Sequence, residues 1–281
     1  MSVPCLESAA VVETKQVGER EFLSKFRTPK IAAEVKPGQF VMVSFPDTID
    51  PLLPRAYSVC DVDGDCLKLF YAAVGKGSKR LSRLSRGEIV RLNGPLGMGF
   101  PMPVPGENIW IVVGGSGAAL LPILIKMSKK NGATMKIFYG AKTKEHICNE
   151  LVEALNATEA DSINYATDDG TFGYHGTVVQ LMKNKMPYPS TGKGAIPSKI
   201  FGCGPTPMLI ALQQGFGTAI LTYLSVETPM ACGMGFCQGC PVKISAESDD
   251  VRAGADYFLA CKDGPVFESQ LIEFESARNK T

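Results

Sequence analysis

Ile109-Trp110-Ile111-Val112-Val113-Gly114-Gly115-Ser116-Gly117 is five apolar residues closed by a run of glycines, and an apolar stretch from Ala118 to Lys129 follows at once. An apolar run this short has the length of a strand buried on both faces. The glycines then supply a tight turn into a helix expected over 118–129. This is the layout of a dinucleotide-binding strand–turn–helix unit, in which a phosphate rests on the helix N-terminus. The full G-x-G-x-x-G fingerprint is absent because Leu120 stands at the position after Ala119. A ligand-free junction is therefore the competing reading of Gly114, Gly115 and Gly117.

Downstream the same grammar repeats. Strands are expected at 135–139, 162–166, 199–202 and 219–224, with helices at 145–155, 177–184 and 205–214. Strands alternating with helices imply a parallel sheet covered on both faces, with ligands at the carboxyl edge of the strands. A second glycine turn, Cys203-Gly204-Pro205, opens a helix on that edge, and Thr167-Asp168-Asp169-Gly170 ends another strand there. If the adenosine ribose lies at that position, Asp168 and Asp169 repel a 2′-phosphate and favour NAD over NADP.

Upstream, Pro101, Pro103, Pro105 and Gly106 mark a connection, and the texture before it is different. Short apolar segments at 9–14, 39–45, 56–61, 66–72 and 89–92 are bounded by Gly, Pro and Asp turns, which suggests a β-sandwich or barrel. A helix over 78–84 carries Lys79, Arg80 and Arg83 and reads as a solvated face. Arg55-Ala56-Tyr57-Ser58 opens one strand with residue types that suit a flavin. A guanidinium can pair with a pyrophosphate, an aromatic ring can stack on the isoalloxazine, and a hydroxyl can hydrogen-bond near its reactive nitrogen. Gly75-Lys76-Gly77-Ser78 is a glycine turn before a helix where a phosphate could sit, with an empty turn as the alternative.

The last fifth of the chain belongs to neither pattern. Cys232, Cys237 and Cys240 are followed after twenty residues by Cys261, the C-x4-C-x2-C…C spacing of plant-type [2Fe–2S] ferredoxins. Gly233, Gly235 and Gly239 let the backbone curl close enough for its N–H groups to face sulfur. A four-thiolate zinc site is the rival, although its usual spacing is two C-x2–4-C pairs. The other five cysteines are scattered singly, which argues against a disulfide framework.

Twenty-nine basic against 28 acidic residues leave a net charge of +1, so nothing favours nucleic acid or a charged membrane surface. No signal peptide and no long apolar run is present, and a cytoplasmic protein is expected. His146 and His175 read as ordinary surface or structural histidines, and no general acid or base is assigned.

The motifs 55–58, 75–78, Asn93-Gly94-Pro95-Leu96-Gly97 and 203–205 together resemble the ferredoxin–NADP reductase superfamily. The tail, Met230-Ala231-Cys232-Gly233-Met234-Gly235-Phe236-Cys237-Gln238-Gly239-Cys240 with Cys261-Lys262-Asp263-Gly264-Pro265-Val266-Phe267, is similar to the electron-transfer subunits of type B dihydroorotate dehydrogenases. That resemblance implies an antiparallel FAD-binding β-barrel over 1–102, a parallel-sheet NAD domain over 103–225 and a small Cys-rich cluster module over 226–281. It implies that Arg55, Tyr57 and Ser58 contact FAD, Gly77 and Ser78 its phosphates, and the four cysteines iron. It also implies a partner, an FMN-containing catalytic subunit of pyrimidine biosynthesis, in a heterotetramer. The alternatives are a subunit of a ferredoxin:NAD(P) oxidoreductase or sulfide dehydrogenase-like complex, and a zinc-stabilised module that is not an enzyme.

Overall fold

The computed structural model describes residues 3–153, 163–186, 196–246 and 256–274. Its first part comprises β1 (Cys5–Gln16), β2 (Glu21–Arg27), α1 (Pro29–Glu34), β3 (Phe40–Ser44), β4 (Arg55–Asp63), β5 (Cys66–Ala72), α2 (Lys76–Leu81) and β6 (Ile89–Leu96). The six strands close into an antiparallel barrel in the order β1-β2-β5-β4-β3-β6. Alternation sends Ala9, Val11, Phe26, Val41, Val43, Leu67, Leu69, Val90 and Leu92 into its interior. A closed barrel leaves no unpaired edge, which settles the choice between sandwich and barrel.

Two elements here are absent from the sequence expectations. In β2 the charged Glu21, Lys25 and Arg27 are interspersed with the buried Ser24 and Phe26, which blurs the apolar signal. Helix α1 is only six residues long, with Pro29 in its first turn, and Glu7 on β1 holds its start. Thr28 Oγ1 donates to Glu7 Oε2 at 2.5 Å and the Ile31 N–H donates to the same oxygen at 2.9 Å.

The second part runs β7 (Asn108–Gly114), α3 (Leu121–Lys130), β8 (Thr134–Ala141), α4 (Asn149–Glu153), β9 (Ile163–Thr167), β10 (Tyr174–His175), α5 (Val178–Lys185), β11 (Lys199–Cys203), α6 (Thr206–Phe216) and β12 (Leu221–Ser225). The expected helix over 118–129 divides: a 3-10 segment, Gly115–Leu120, carries the glycine turn onward, and α3 proper starts at Leu121 with Pro122 in its first turn. The helix expected at 145–155 likewise becomes a 3-10 turn, Lys144–His146, and the short α4, and its last two positions lie outside the described residues.

The tail adds β13 (Pro241–Lys243), β14 (Tyr257–Leu259) and β15 (Val266–Glu268). β13 and β14 pair as a small ribbon, while β15 returns to the main sheet and pairs antiparallel with β12. The tail thus supplies the seventh strand of a sheet ordered β10-β9-β8-β7-β11-β12-β15.

Burial alternates along the central strands. Ile111, Val113, Ile137, Tyr139 and Phe201 face α3 and the barrel's Phe70 and Phe100. Trp110, Val112, Phe138, Ile200 and Leu224 face α5 and α6. Ile123 of α3 packs into the barrel's own core, so that helix joins the two bodies. The tail packs Val242, Phe258 and Phe267 over Phe40, Met42 and Leu96 of β3 and β6. Each such fully buried side chain contributes about 1.5–3 kcal/mol. No helix among the described residues is long and apolar enough to cross a membrane.

Candidate cofactor and electron-transfer site

Arg55 begins β4, and its side chain lies across the start of α2. A Cβ placed on Gly77 would stand 2.9 Å from Arg55 Cγ, so only glycine admits this crossing. Among the described residues the guanidinium donates only to backbone carbonyls, Leu53 O at 2.8 Å and Pro54 O at 3.2 Å. An arginine without a carboxylate, set against the positive end of a helix, is an arrangement that an anion between them would stabilise. Ser78 Oγ accepts from the Val74 and Gly75 N–H groups at 3.0 Å each, which fixes the turn.

Tyr57 is half-buried beside Arg55, its ring edge-on to Tyr71 at 5.4 Å between centroids. Burial raises the Tyr57 hydroxyl well above the usual phenol range, so it stays protonated. Tyr71 is itself held by a buried hydrogen bond to Ser24 Oγ at 2.9 Å. Ser58 and the exposed Ala56 pair with Phe40 and Met42 of β3. The residues at 55–58 and 75–78 therefore form one continuous surface with the chemistry to hold a flavin dinucleotide. Arg55 with the α2 turn is the candidate place on it for an anion.

The two glycine turns of the sheet meet backbone to backbone. β7 and β11 are parallel neighbours with Val113 opposite Cys203. A Cβ on Gly117 would fall 2.2 Å from Cys203 O and 2.8 Å from Gly204 N, and one on Gly114 would fall 2.9 Å from Met208 Sδ and 3.0 Å from Pro205 Cδ. Gly115 has φ +51 with nothing near its missing Cβ, so it faces open space. The Cys203 thiol is buried, and burial pushes it up to about 12, so this residue can offer a ligand only its backbone.

Asp168 and Asp169 stand beyond β9 on the same edge, two strands from Gly114. Asp169 Oδ1 accepts from Thr171 Oγ1 at 2.7 Å and Thr171 N at 3.0 Å, and these bonds hold its carboxyl below the usual range. Both aspartates are exposed, and the difference between them is that Thr171 engages the Asp169 carboxylate. His175 packs against Gly170, and His146 Nδ1 lies 3.0 Å from Thr143 Oγ1.

Sequence patterns point to neither Glu227 nor Thr228, which follow β12 on this edge. Water reaches Glu227 on one side, yet protein atoms crowd the rest and desolvation raises its carboxyl above the usual range. Thr228 Oγ1 is buried with no partner among the described residues, an orphaned polar atom of the kind a bound cofactor edge satisfies.

The four tail cysteines come together in pairs. Cys240 Sγ lies 3.2 Å from Cys261 Sγ, while the Cys237 N–H points at Cys232 Sγ at 3.4 Å. Three more N–H groups face sulfur: Met234 to Cys232 at 3.4 Å, Gly235 to Cys261 at 3.1 Å and Cys261 to Cys240 at 3.5 Å. Burial alone would raise the Cys232 thiol, but the N–H groups of Cys237 and Met234 outweigh it and bring the thiol down to about 6. Burial next to Cys240 pushes Cys261 up to about 12. Gly233 and Gly235 take φ +72 and +82, and Gln238 is the one non-glycine with positive φ (+55) among the described residues. The loop that aims the thiols therefore holds the one non-glycine strained in this way among the described residues. No three His, Cys, Asp or Glu side chains among the described residues close on a single metal-ion position. The loop rests on the barrel, where a Cβ on Gly233 would fall 2.5 Å from Met42 Cγ.

A barrel fused to a nucleotide-type sheet, with paired thiols laid against the barrel wall, defines an oxidoreductase of ferredoxin reductase-like fold bearing an iron–sulfur arm. Residues 227–273 match the iron–sulfur cluster binding domain of dihydroorotate dehydrogenase B. The chain is 34% identical over 271 residues to the dihydroorotate dehydrogenase B (NAD(+)) electron transfer subunit of Desulforamulus reducens, spanning 95% of this chain and 98% of that protein. It is 32% identical to the corresponding subunit of Enterococcus faecalis (strain V583), over 95% and 97%. A solved structure of an NADH-dependent reduced ferredoxin-NADP oxidoreductase shares the fold, with a TM-score of 0.77 over 95% of this chain and 90% of that one at 22% identity. The chain belongs to the family of dihydroorotate dehydrogenase B (NAD(+)) electron transfer subunits.

Proposed function

We propose that this chain passes electrons between NAD(H) and a dihydroorotate-oxidising catalytic subunit, through FAD on the barrel and a [2Fe–2S] cluster on Cys232, Cys237, Cys240 and Cys261. The observation that carries the reading is the two-and-two pairing of the thiols on the barrel wall, one strand from β4. A two-iron cluster requires that pairing, and a nearby flavin requires that position. When bound, the flavin exchanges electron pairs with nicotinamide and single electrons with the cluster. The protein's part is placement and charge. Arg55 and the α2 turn neutralise pyrophosphate, Tyr57 supplies a ring face braced by Tyr71, and the Ser58 hydroxyl offers a hydrogen bond. The glycine turns at 114–117 and 203–205 let a dinucleotide approach the backbone closely. Asp168, with Asp169 beside it, disfavours a 2′-phosphate, so NADH is the expected nucleotide. The N–H groups aimed at the thiol sulfurs stabilise negative charge on the cluster. The catalytic partner carries FMN, and two copies of each chain make the assembly.

The test is to purify the chain anaerobically, measure flavin, iron and acid-labile sulfide, and then add NADH. One FAD, two irons and two sulfides per chain are expected, with bleaching of the visible spectrum by NADH and dihydroorotate-dependent NADH formation once the catalytic subunit is added. A colourless protein holding zinc, or a coloured one with no dihydroorotate-linked turnover beside that subunit, would refute the assignment.

A further inference from the structure

A hollow of about 360 Å³ lies beyond β8 and β9, apart from the glycine turns and the flavin surface. Val17, Ile147 and Phe172 line it on the apolar side and Glu145, Asn149 and Glu150 on the polar one. Its place follows from two turns at the carboxyl edge of the sheet. The turn after β9 lies on the turn after β8: the Asp168 N–H donates to Ala141 O at 3.1 Å, and the Lys144 N–H donates to Thr171 Oγ1 at 2.9 Å. Phe172, just past Asp168 and Asp169, is thereby set beside residues 144–150. Val17 belongs to the β1–β2 turn, whose Arg20 O accepts from the Ala73 N–H at 2.8 Å, shortly before the α2 turn. The hollow therefore sits between the aspartate turn of the sheet and the barrel.

Its lining has the chemistry of a site for a purine base. Phe172 is 39% exposed, and its one ring neighbour among the described residues is Tyr165, tilted at 5.0 Å between centroids. Lys144 Nζ stands 5.9 Å from the centre of the Phe172 ring, the outer limit of a cation–π contact, which a flat base can displace. Such a ring stacks on any base, so selection falls to the polar side. Asn149 is exposed, and its carboxamide has no hydrogen-bond partner among the described residues. A carboxamide presents a donor and an acceptor side by side, the complement of N7 and the exocyclic amine of adenine. Glu150 Oε1 is only loosely paired, with Lys15 Nζ at 3.7 Å, and Glu145 adds a second carboxylate. Both accept from an amine and repel a carbonyl oxygen in its place.

We propose that this hollow is the adenine subsite of the dinucleotide site, with the base against Phe172, its amine toward Asn149 and the two carboxylates, and its ribose toward Asp168. The inference rests on the nicotinamide-dinucleotide reading above and adds to it which base is selected and by which residues.

The experiment compares wild-type holoprotein with Phe172→Ala and Asn149→Ala. Calorimetric titration gives dissociation constants for NAD and for nicotinamide hypoxanthine dinucleotide, in which a carbonyl oxygen replaces the adenine amine. Stopped-flow reduction by NADH and by reduced nicotinamide mononucleotide, which lacks adenosine, is recorded alongside, together with FAD titration of the apoproteins. Wild type is expected to bind NAD at least about fivefold more tightly than the hypoxanthine analogue, and Asn149→Ala to lose most of that preference. Phe172→Ala should weaken both dinucleotides by about five- to a hundredfold, the range for loss of one stacked base. Reduction by the mononucleotide and affinity for FAD should match wild type in both variants, and both side chains are exposed, so melting should match as well. Unchanged NAD affinity in Phe172→Ala overturns the subsite, and equal affinity of wild type for the two dinucleotides overturns the selection by Asn149 and the carboxylates. A fall in FAD affinity overturns it too, by giving the hollow to the adenine of the flavin. Each of these leaves the electron-transfer reading intact, whereas a wild-type flavoprotein that NADH does not reduce overturns that reading itself.

Discussion

Gly117→Ala tests whether the two glycine turns form one nucleotide platform. The added methyl carbon would meet Cys203 O at 2.2 Å, Cys203 C at 2.5 Å and Gly204 N at 2.8 Å. All three are backbone atoms at the end of β11, a strand paired on both sides by β7 and β12, so no side chain can rotate away. The turn must separate from the strand end, and overpacking of this kind costs about 3 kcal/mol, the upper part of its usual range. Gly115→Ala is the control: its methyl meets nothing within 4 Å, and the left-handed φ of +51 costs about 1 kcal/mol. At roughly 2–4 °C per kcal/mol for a domain of this size, Gly117→Ala should lower the apparent melting temperature by about 6–12 °C and Gly115→Ala by only a few degrees. Stopped-flow reduction of the bound cofactors by NADH then reads the platform itself. Gly117→Ala should raise the NADH concentration needed for half-maximal rate, whereas reduction by dithionite, which needs no nucleotide site, should be unaffected. A Gly117→Ala protein that melts with wild type and is reduced at the same NADH concentration would refute the reasoning.

Arg55→Ala should lower FAD affinity by about 1.5–3 kcal/mol, roughly ten- to a hundredfold, with little change in apoprotein stability, because only two backbone carbonyls lose a donor. Fluorescence titration of apoprotein with FAD checks both halves of that statement. Cys240→Ser should abolish the iron–sulfur absorbance and leave flavin in place, whereas Cys203→Ser should keep the iron, since that thiol belongs to the sheet's core. Asp168→Arg should lower the KM for NADPH relative to NADH, and steady-state dye reduction with both nucleotides reads the ratio. Glu107→Gln should flatten the acid limb of stability. The Lys199 ammonium, 2.7 and 2.9 Å from the two carboxylate oxygens, holds Glu107 below its unfolded value of 4.5. Its stabilising contribution is thus complete above that value and is lost as pH falls through the lower folded one, which urea unfolding between pH 7 and pH 3 would show.

Much of the fold is legible in the chain because its strongest signals are local. The apolar run of β7 followed by glycines, and the short apolar segments of β3, β4 and β5, state their burial in consecutive residues. The missed pieces lack that property. In β2 Lys25 is half-buried and pairs with Asp63 over the intervening β5, and its charge interrupts the buried Ser24 and Phe26 on either side. Helix α1 is too short to show a period, although Thr28-Pro29 marks its start. β15 is three residues long and is a strand only because β12 offers it an edge. The site divides in the same way. Thiol spacing and the Arg-x-Tyr-Ser pattern are written within short stretches. The hollow beside Phe172 is assembled from segments near residues 17, 147 and 172, and Thr228 stands out only because no partner reaches its hydroxyl.

The return of β15 to the sheet gives the tail a second duty. β12 would otherwise present a bare row of N–H and C=O groups, an open template for another chain. The residues just after Cys261 close that row, Pro265 O also accepting from the Val226 N–H at 2.9 Å. The tail is therefore a clasp as well as a wire. A chain cut before Val226, or one whose tail has worked loose after its metal is stripped, uncovers an adhesive border. Oxidative damage at the thiols should then be noticed first as turbidity, before any loss of nucleotide binding.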